Sequence, residues 1–301
     1  MPDAQGQRPT LGAIRAVTHT VPNLENIEQA YTRCLGYRAV DRGSVPAAVA
    51  HAWRAPAVAG RAYLTLEPES GEAVHLRFVE SPAAAGWHAL TTHGWNATEL
   101  VVQDLDALAA RLGSSGDFRL IGAPRSLTRF PTIRAMQVLG PAGECLYLTQ
   151  IGAGTKLELA VARSFVGRVF VVVAGGSDLD AMFAVYAGFA NPIDPPVATP
   201  VAVISQANGL PVETLHRHGL VKLPGGSLIE LDAYPAVTRP RATPAGELPP
   251  GMAIVSFTCD GLHRCARAAP VAPGLLRGVG VAATLKGAAG ELIELVEADE
   301  S

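Results

Sequence analysis

Four short stretches decide how this chain is read: Ser70-Gly71-Glu72-Ala73-Val74-His75-Leu76, Ala142-Gly143-Glu144-Cys145-Leu146-Tyr147-Leu148, Gly225-Gly226-Ser227-Leu228-Ile229-Glu230-Leu231 and Ala289-Gly290-Glu291-Leu292-Ile293-Glu294-Leu295. Each is a small-residue turn, a glycine, a polar residue, two apolar residues, a variable position and a leucine. Glycine reaches backbone angles that other residues avoid, so the phrase reads as a tight turn feeding a strand. A phrase that recurs along a whole chain marks a repeat architecture, and the segments between its copies should then repeat as well.

They do. Each copy closes a unit that opens with an apolar strand and a polar turn, at residues 17–25, 98–106, 169–180 and 254–262. Asn23, Asp104 and Asp178 stand just before a leucine, where a side-chain oxygen can cap the first turn of a helix. Helices are predicted over 25–35, 105–112 and 179–186, with a shorter one over 262–269; the first shows one buried face through Ile27, Ala30, Tyr31 and Cys34. β-type runs follow at 62–66, 133–138 and 279–285. Each unit is therefore a strand, a helix and then two or three strands, a βαβββ module.

Composition narrows the function. With 301 residues the chain is long enough for two domains, and 49% hydrophobic against 17% charged residues describes a globular protein. A net charge of -3 without a run of like charges gives a nucleic-acid backbone no electrostatic hold. No stretch has the apolar length of a membrane span and the N-terminus has no signal-like core, so a cytoplasmic protein is expected. Cys34, Cys145, Cys259 and Cys265 are irregularly spaced in apolar surroundings and read as buried free thiols; the string from Cys259 through His263 to Cys265 lacks the second cluster of a structural zinc site.

Four such modules, with Val21-Pro22-Asn23-Leu24-Glu25 leading to Leu35-Gly36-Tyr37 and two Leu-Ile-Glu-Leu endings, resemble the vicinal oxygen chelate superfamily of glyoxalases, bleomycin-resistance proteins and extradiol dioxygenases. The resemblance implies an α+β fold in which four βαβββ modules pair into two curved mixed-sheet cups. Modules one and two (11–82 and 93–152) are expected to form an N-terminal domain over 11–152. Modules three and four (164–236 and 250–298) are expected to form a C-terminal domain over 164–298, with the break near 152–155.

The resemblance also implies a divalent metal, Fe, Mn, Ni or Zn, held by a His on the first strand of each module and a Glu or His on the last. The last-strand position holds His75, Tyr147, Glu230 and Glu294. The first-strand position, counted back from the opening valine, falls on Ala16, Ala97 and Ala253, with Arg168 or its neighbours in the third module. That set cannot complete the family's metal site, so the protein is either metal-free or metal-binding through other groups.

In the expected N-terminal cup His75 and Tyr147 would face each other as a catalytic acid/base pair, and strand alternation adds Arg77 and Thr149 as substrate contacts. His19 and Trp95 are further substrate-binding candidates, and Trp53, Trp87 and Phe130 can join Trp95 in lining an apolar cavity. In the C-terminal cup Glu230 and Glu294 would converge as metal ligands, which two carboxylates brought together require unless they share a proton. His216 and His218 either complete that site from a neighbouring strand or lie in a polar hairpin beside Gly219.

Two functions are thus open. One is a glyoxalase- or dioxygenase-like enzyme doing acid/base or metal-assisted lyase or isomerase chemistry on a small organic, aromatic or acidic substrate. The other is a non-catalytic protein that binds or sequesters a small molecule. Neither needs a nucleic acid or a membrane, and four modules in one chain allow a monomer or a homodimer.

Overall fold

The computed structural model describes residues 8–260, 262–265, 271–273, 275 and 281–297. Module one comprises β1 (Thr10–Val21), α1 (Leu24–Ala30), β2 (Arg38–Ser44), α2 (Ala47–Ala52), β3 (Ala62–Glu67) and β4 (His75–Glu80). Module two comprises β5 (Gly94–Val102), α3 (Leu105–Ser115), β6 (Arg119–Ser126), β7 (Ile133–Leu139) and β8 (Cys145–Ile151). Module three has β9 (Val166–Gly176), α4 (Leu179–Tyr186), β10 (Val197–Pro200), α5 (Ala202–Ala207), β11 (Leu215–Leu223) and β12 (Ser227–Ala233). Module four has β13 (Gly251–Asp260), α6 (Leu262–Cys265), β14 (Val271–Pro273), β15 (Val281–Lys286) and β16 (Leu292–Glu297). The part of the fourth predicted helix beyond Cys265 lies outside the described residues.

The local rules hold. Asn23, Asp104 and Asp178 cap α1, α3 and α4, each accepting a bond from the backbone N–H three residues on. The repeat glycines 71, 143, 226 and 290 all have φ between 70° and 87°, the left-handed region that the turn needs.

The pairing of modules differs from the expectation. One sheet runs β14-β15-β16-β13-β1-β4-β3-β2 and the other β10-β11-β12-β9-β5-β8-β7-β6. Module one therefore pairs with module four through antiparallel β1 and β13, and module two with module three through antiparallel β5 and β9. The chain crosses between sheets at 81–93 and again at 234–250, not near 152–155. First strands join through main-chain hydrogen bonds, which carry no side-chain signature, so a repeat phrase identifies a module without naming its partner.

One face of each sheet packs with the helices into a shared apolar core, where Leu76, Phe78, Leu100, Leu148, Val172, Leu231, Phe257 and Leu295 are buried. The alternating side chains, including His75, Tyr147, Glu230 and Glu294, line the opposite face of their own sheet, the inside of a cup.

Candidate functional site

The cup of modules one and four is shut. In β4, Arg77 donates from Nε to Thr18 Oγ1 at 2.8 Å and from Nη2 to Glu294 Oε2 at 3.1 Å. Glu294 also accepts from Trp53 Nε1 at 2.7 Å and from Ser256 Oγ. The Arg77 guanidinium lies 4.8 Å from the centroid of the Trp53 ring. Trp53 ends α2, and that helix with Val45, Val49 and Val58 packs onto Val79, Ile254 and Leu292, filling the cup with apolar side chains. Burial alone would raise the Glu294 carboxyl, but the Arg77 charge and the Ser256, Trp53 and Arg77 hydrogen bonds outweigh it and hold the group below the usual carboxylate range. A metal does not fit here: a guanidinium already compensates the one acid that would ligate it.

His75 stands beside Ala16 on β1, with Nε2 3.7 Å from Glu67 Oε2, and desolvation lowers its pKa. It belongs to this cup, whereas Tyr147 belongs to the other. The expected His75–Tyr147 pair is therefore not formed, and Arg77 and Thr149 are likewise separated. Glu230 and Glu294 also lie in different sheets and cannot share a metal. The cause is the same in each case, since modules one and two do not share a sheet.

Two more candidates fall outside both cups. His19 is buried, stacks on Phe78 and meets Thr98 Oγ1 at 3.2 Å; burial and the Arg241 charge push its pKa down to about 3, so it is neutral. Its position in β1 alternates with the cup-facing Thr18, which explains the placement. Trp95 donates to the Leu292 carbonyl at 2.8 Å and packs in the shared core, a structural role. Trp53, Trp87, Trp95 and Phe130 do not all line one cavity: Trp53 and Trp95 border a cleft of about 440 Å³, while Trp87 borders another by the second cup.

The second cup leaves Glu99, His218 and Glu230 partly exposed, while Thr149 and Asp232 are buried. Glu99 on β5 lies beside Tyr147 on β8 in the parallel register, and Thr149 donates to its carboxylate. Burial pushes the Glu99 carboxyl up to about 8 against that hydrogen bond, and the Glu230 charge adds to the rise. Tyr147 is raised too, chiefly by burial, and its hydroxyl has no partner among the described residues. Glu230 projects from β12 beside Val173 of β9. Next to it, Asp232 is 1% exposed and held well above the usual range by burial and by Glu230. Tyr234 lies over Gly175, where a Cβ would come within 2.3 Å of its ring, so glycine at 175 is what admits the phenol.

His216 and His218 are strand residues of β11, not a hairpin. His216 is buried against Ser205 Oγ at 2.8 Å and ties α5 to the sheet. His218 faces Asp232 across the β11–β12 ladder and contacts Thr199 Oγ1 at 2.9 Å. Beside this cup, a cleft of about 530 Å³ is bordered by Trp87, Leu90, Arg119, Ile121, Leu139 and Val203. Of these, Leu90 is buried in the same apolar cluster as Tyr147 and Ala97, and Trp87, Ile121 and Leu139 pack against it. Leu90 adopts φ 67° and is held there by Asn96 Oδ1 at its N–H and Asn208 Nδ2 at its carbonyl. Such strain persists where surrounding contacts fix it and gathers at binding sites.

Strand pairing also corrects the first-strand positions. Ala16, Glu99, Val173 and Ser256 are the residues beside His75, Tyr147, Glu230 and Glu294. Glu99 replaces the expected Ala97 and Ser256 the expected Ala253. In β13 the β1 partners pass from Ile254 to Met252, a bulge at Ala253, and Ser256 lies in the unbroken run that follows it. Glu99 had a signal of its own, a single acid in the apolar run from Leu100 to Val102 and the small residues before it. Cys34, Cys145 and Cys259 are buried, and the side chains of His263 and Cys265 lie outside the described residues.

No protein-family model and no curated protein matches the chain. Solved structures do. Glyoxalase I from Zea mays superposes with a TM-score of 0.60 at 14% identity, covering 96% of this chain and 93% of that one. A putative dioxygenase from Bacillus subtilis superposes with a TM-score of 0.64 at 13% identity, covering 97% and 87%. At such identities the likeness carries the fold, two curved half-barrel sheets built from four modules, and the chemistry has to be argued from the side chains.

Proposed function

We propose that this chain, which has the tandem vicinal oxygen chelate fold, is a small-molecule enzyme working through the cup of modules two and three, with Glu99 and Tyr147 as its proton-transfer groups. The observation that carries the reading is the placement of the Glu99 carboxyl beside the unpartnered Tyr147 hydroxyl on adjacent strands of an apolar floor. A carboxyl raised by burial can take a proton from carbon and return it near neutral pH, and a phenol nearby can polarise the adjacent oxygen. This supports lyase or isomerase chemistry on a small organic substrate with an acidic C–H next to an oxygen. Among the described residues no Arg or Lys forms an ion pair with Glu99, Glu230 or Asp232, so the cup offers no fixed cation to the reacting end of the substrate.

The test is turnover over a panel of small α-hydroxy and α-oxo carbonyl compounds. Glu99→Gln should lower kcat by about 10²- to 10⁴-fold with little change in KM, and Tyr147→Phe should lower it less. Turnover that survives Glu99→Gln would remove the acid/base assignment. The cleft walled by Trp87, Leu90, Ile121, Leu139 and Val203 favours a second reading, a binding protein for an apolar ligand. On that reading ligand affinity is unaffected by Glu99→Gln and is lost when Trp87 is replaced by Ala.

A further inference from the structure

We propose that the cup of modules two and three holds one divalent transition-metal ion between His218 Nδ1, Glu230 and Asp232. The ligand atoms of these three residues all lie within 4.8 Å of one another. Ligands around a single ion stand roughly 3 to 4 Å apart when each is about 2.1 Å from it, so side-chain rotation alone closes the site. The geometry follows from the sheet: His218 and Asp232 are direct partners across β11 and β12, and Glu230 is two residues before Asp232 on the same face.

Three further observations point to a cation. The Nε2 of His218 is already engaged by Thr199 Oγ1, which fixes the ring and leaves Nδ1 buried, without a hydrogen-bond partner, 3.7 Å from Glu230 Oε1. A metal-ligating imidazole characteristically has its other nitrogen held in this way. Asp232 is 1% exposed, its Oδ1 has no hydrogen-bond partner, and its side-chain neighbour is a second acid, Glu230, an arrangement that needs either a shared proton or a cation. The other cup supplies the contrast, because there the single buried acid, Glu294, is matched by Arg77. Here two adjacent acids have only His218 within ion-pair distance among the described residues.

One imidazole and two carboxylates suit Mn, Fe or Zn, and three protein ligands leave coordination positions open toward Tyr147 and the cup. The arrangement departs from the one that the family resemblance implies. Only Glu230 stands at a last-strand ligand position, while His218 comes from β11 and Asp232 lies two residues further along. The inference rests on the second cup being the functional one, but its test does not require turnover.

The full-length chain, stripped with chelator and dialysed, is titrated calorimetrically with Mn²⁺ and with Zn²⁺, and its melting temperature is followed in parallel. One ion per chain should bind with Kd of about 10 μM or tighter. Asp232→Asn and His218→Ala should each abolish saturation, and Thr199→Val should weaken it about 10-fold through the orientation of the ring. His75→Gln, in the other cup, should leave binding unchanged. Absence of saturable binding by either ion overturns the proposal, as does binding that persists in folded Asp232→Asn. Should either ligand variant fail to fold, Thr199→Val decides, since wild-type affinity there removes His218 from the site. Metal binding with Glu99→Gln fully active would leave this site standing while the acid/base reading falls. The reverse pattern separates them the other way.

Discussion

Arg77 holds Glu294 at 3.1 Å with both side chains shut from solvent, 0% and 3% exposed, between strands that come from opposite ends of the chain. The pair joins module one to module four inside a cup that α2 has filled. Removing one partner strands a buried charge, whereas removing both leaves a neutral site with hydrogen-bonding capacity to spare. Arg77→Met should therefore cost about 3–5 kcal/mol, and the double variant Arg77→Met with Glu294→Gln should recover most of it. Chemical denaturation of the four proteins of the cycle measures this. A loss in the double variant equal to the sum of the two single losses would mean that the pair does not act as a unit.

Stability should also fall with rising pH through two buried acids that follow the repeat glycines. Tyr31 donates to Glu144 at 2.8 Å, and Glu291 lies against Tyr186 in the matching place of modules three and four. Burial pushes each carboxyl from 4.5 up to about 7. Between these values the folded state binds more protons than the unfolded one, so stability is greatest below about 4.5 and is lost as pH rises toward 7, by up to about 3 kcal/mol per group. His19 works in the opposite direction: its depressed pKa costs stability as pH falls below 6.5. Glu144→Gln removes one acid from this balance, so its unfolding free energy measured from pH 5 to 8 should decline less steeply than that of the parent. An unchanged slope would place the Glu144 pKa at its ordinary value.

These acids show what the sequence could and could not convey. The glycine of each phrase was legible because only one residue type suits its φ, and the position four residues later was legible because strand alternation carries it to the cup. The Glu at 144 and 291 was read only as the polar residue of the phrase, since nothing local announces that Tyr31 or Tyr186 from a neighbouring module will cover it. Glu99 and Ser256 were both missed because a count along the sequence from the opening of the strand ignores which residue the last strand pairs beside. Which module pairs with which depends on main-chain bonds between first strands, and it decides whether His75 meets Tyr147 at all.

Gly60 and Gly251, two of the left-handed glycines, separate backbone strain from steric contact. Both have φ in the seventies, so an Ala at either adds about 1 kcal/mol of conformational cost. At Gly60 a Cβ meets nothing within 4 Å, while at Gly251 it would stand 2.1 Å from Trp87 Cζ2. Gly251→Ala should accordingly lose about 1–3 kcal/mol more than Gly60→Ala and shift the Trp87 fluorescence, because the indole must leave the start of β13. Matching losses and an unaltered emission spectrum would show that Trp87 is free to move aside.

The hydrogen bond between Ser205 and His216 gives the second cup a test of its cover. Ser205 lies in α5, and the preceding Val203 packs in the cluster that contains Tyr147, so the bond fixes a short helix across one side of the cup. Burial depresses the His216 pKa, with the nearby His218 adding to the effect, so the ring accepts or donates as a neutral group. Ser205→Ala leaves a buried imidazole nitrogen unpaired and should cost about 1–3 kcal/mol of global stability. Because α5 has only six residues, the larger effect should be local. Amide exchange in residues 202–207 should quicken several-fold while the β9 and β12 amides remain protected. Equal acceleration in both would mean that α5 opens only with the sheet, and that the bond contributes to the fold without setting access to the cup.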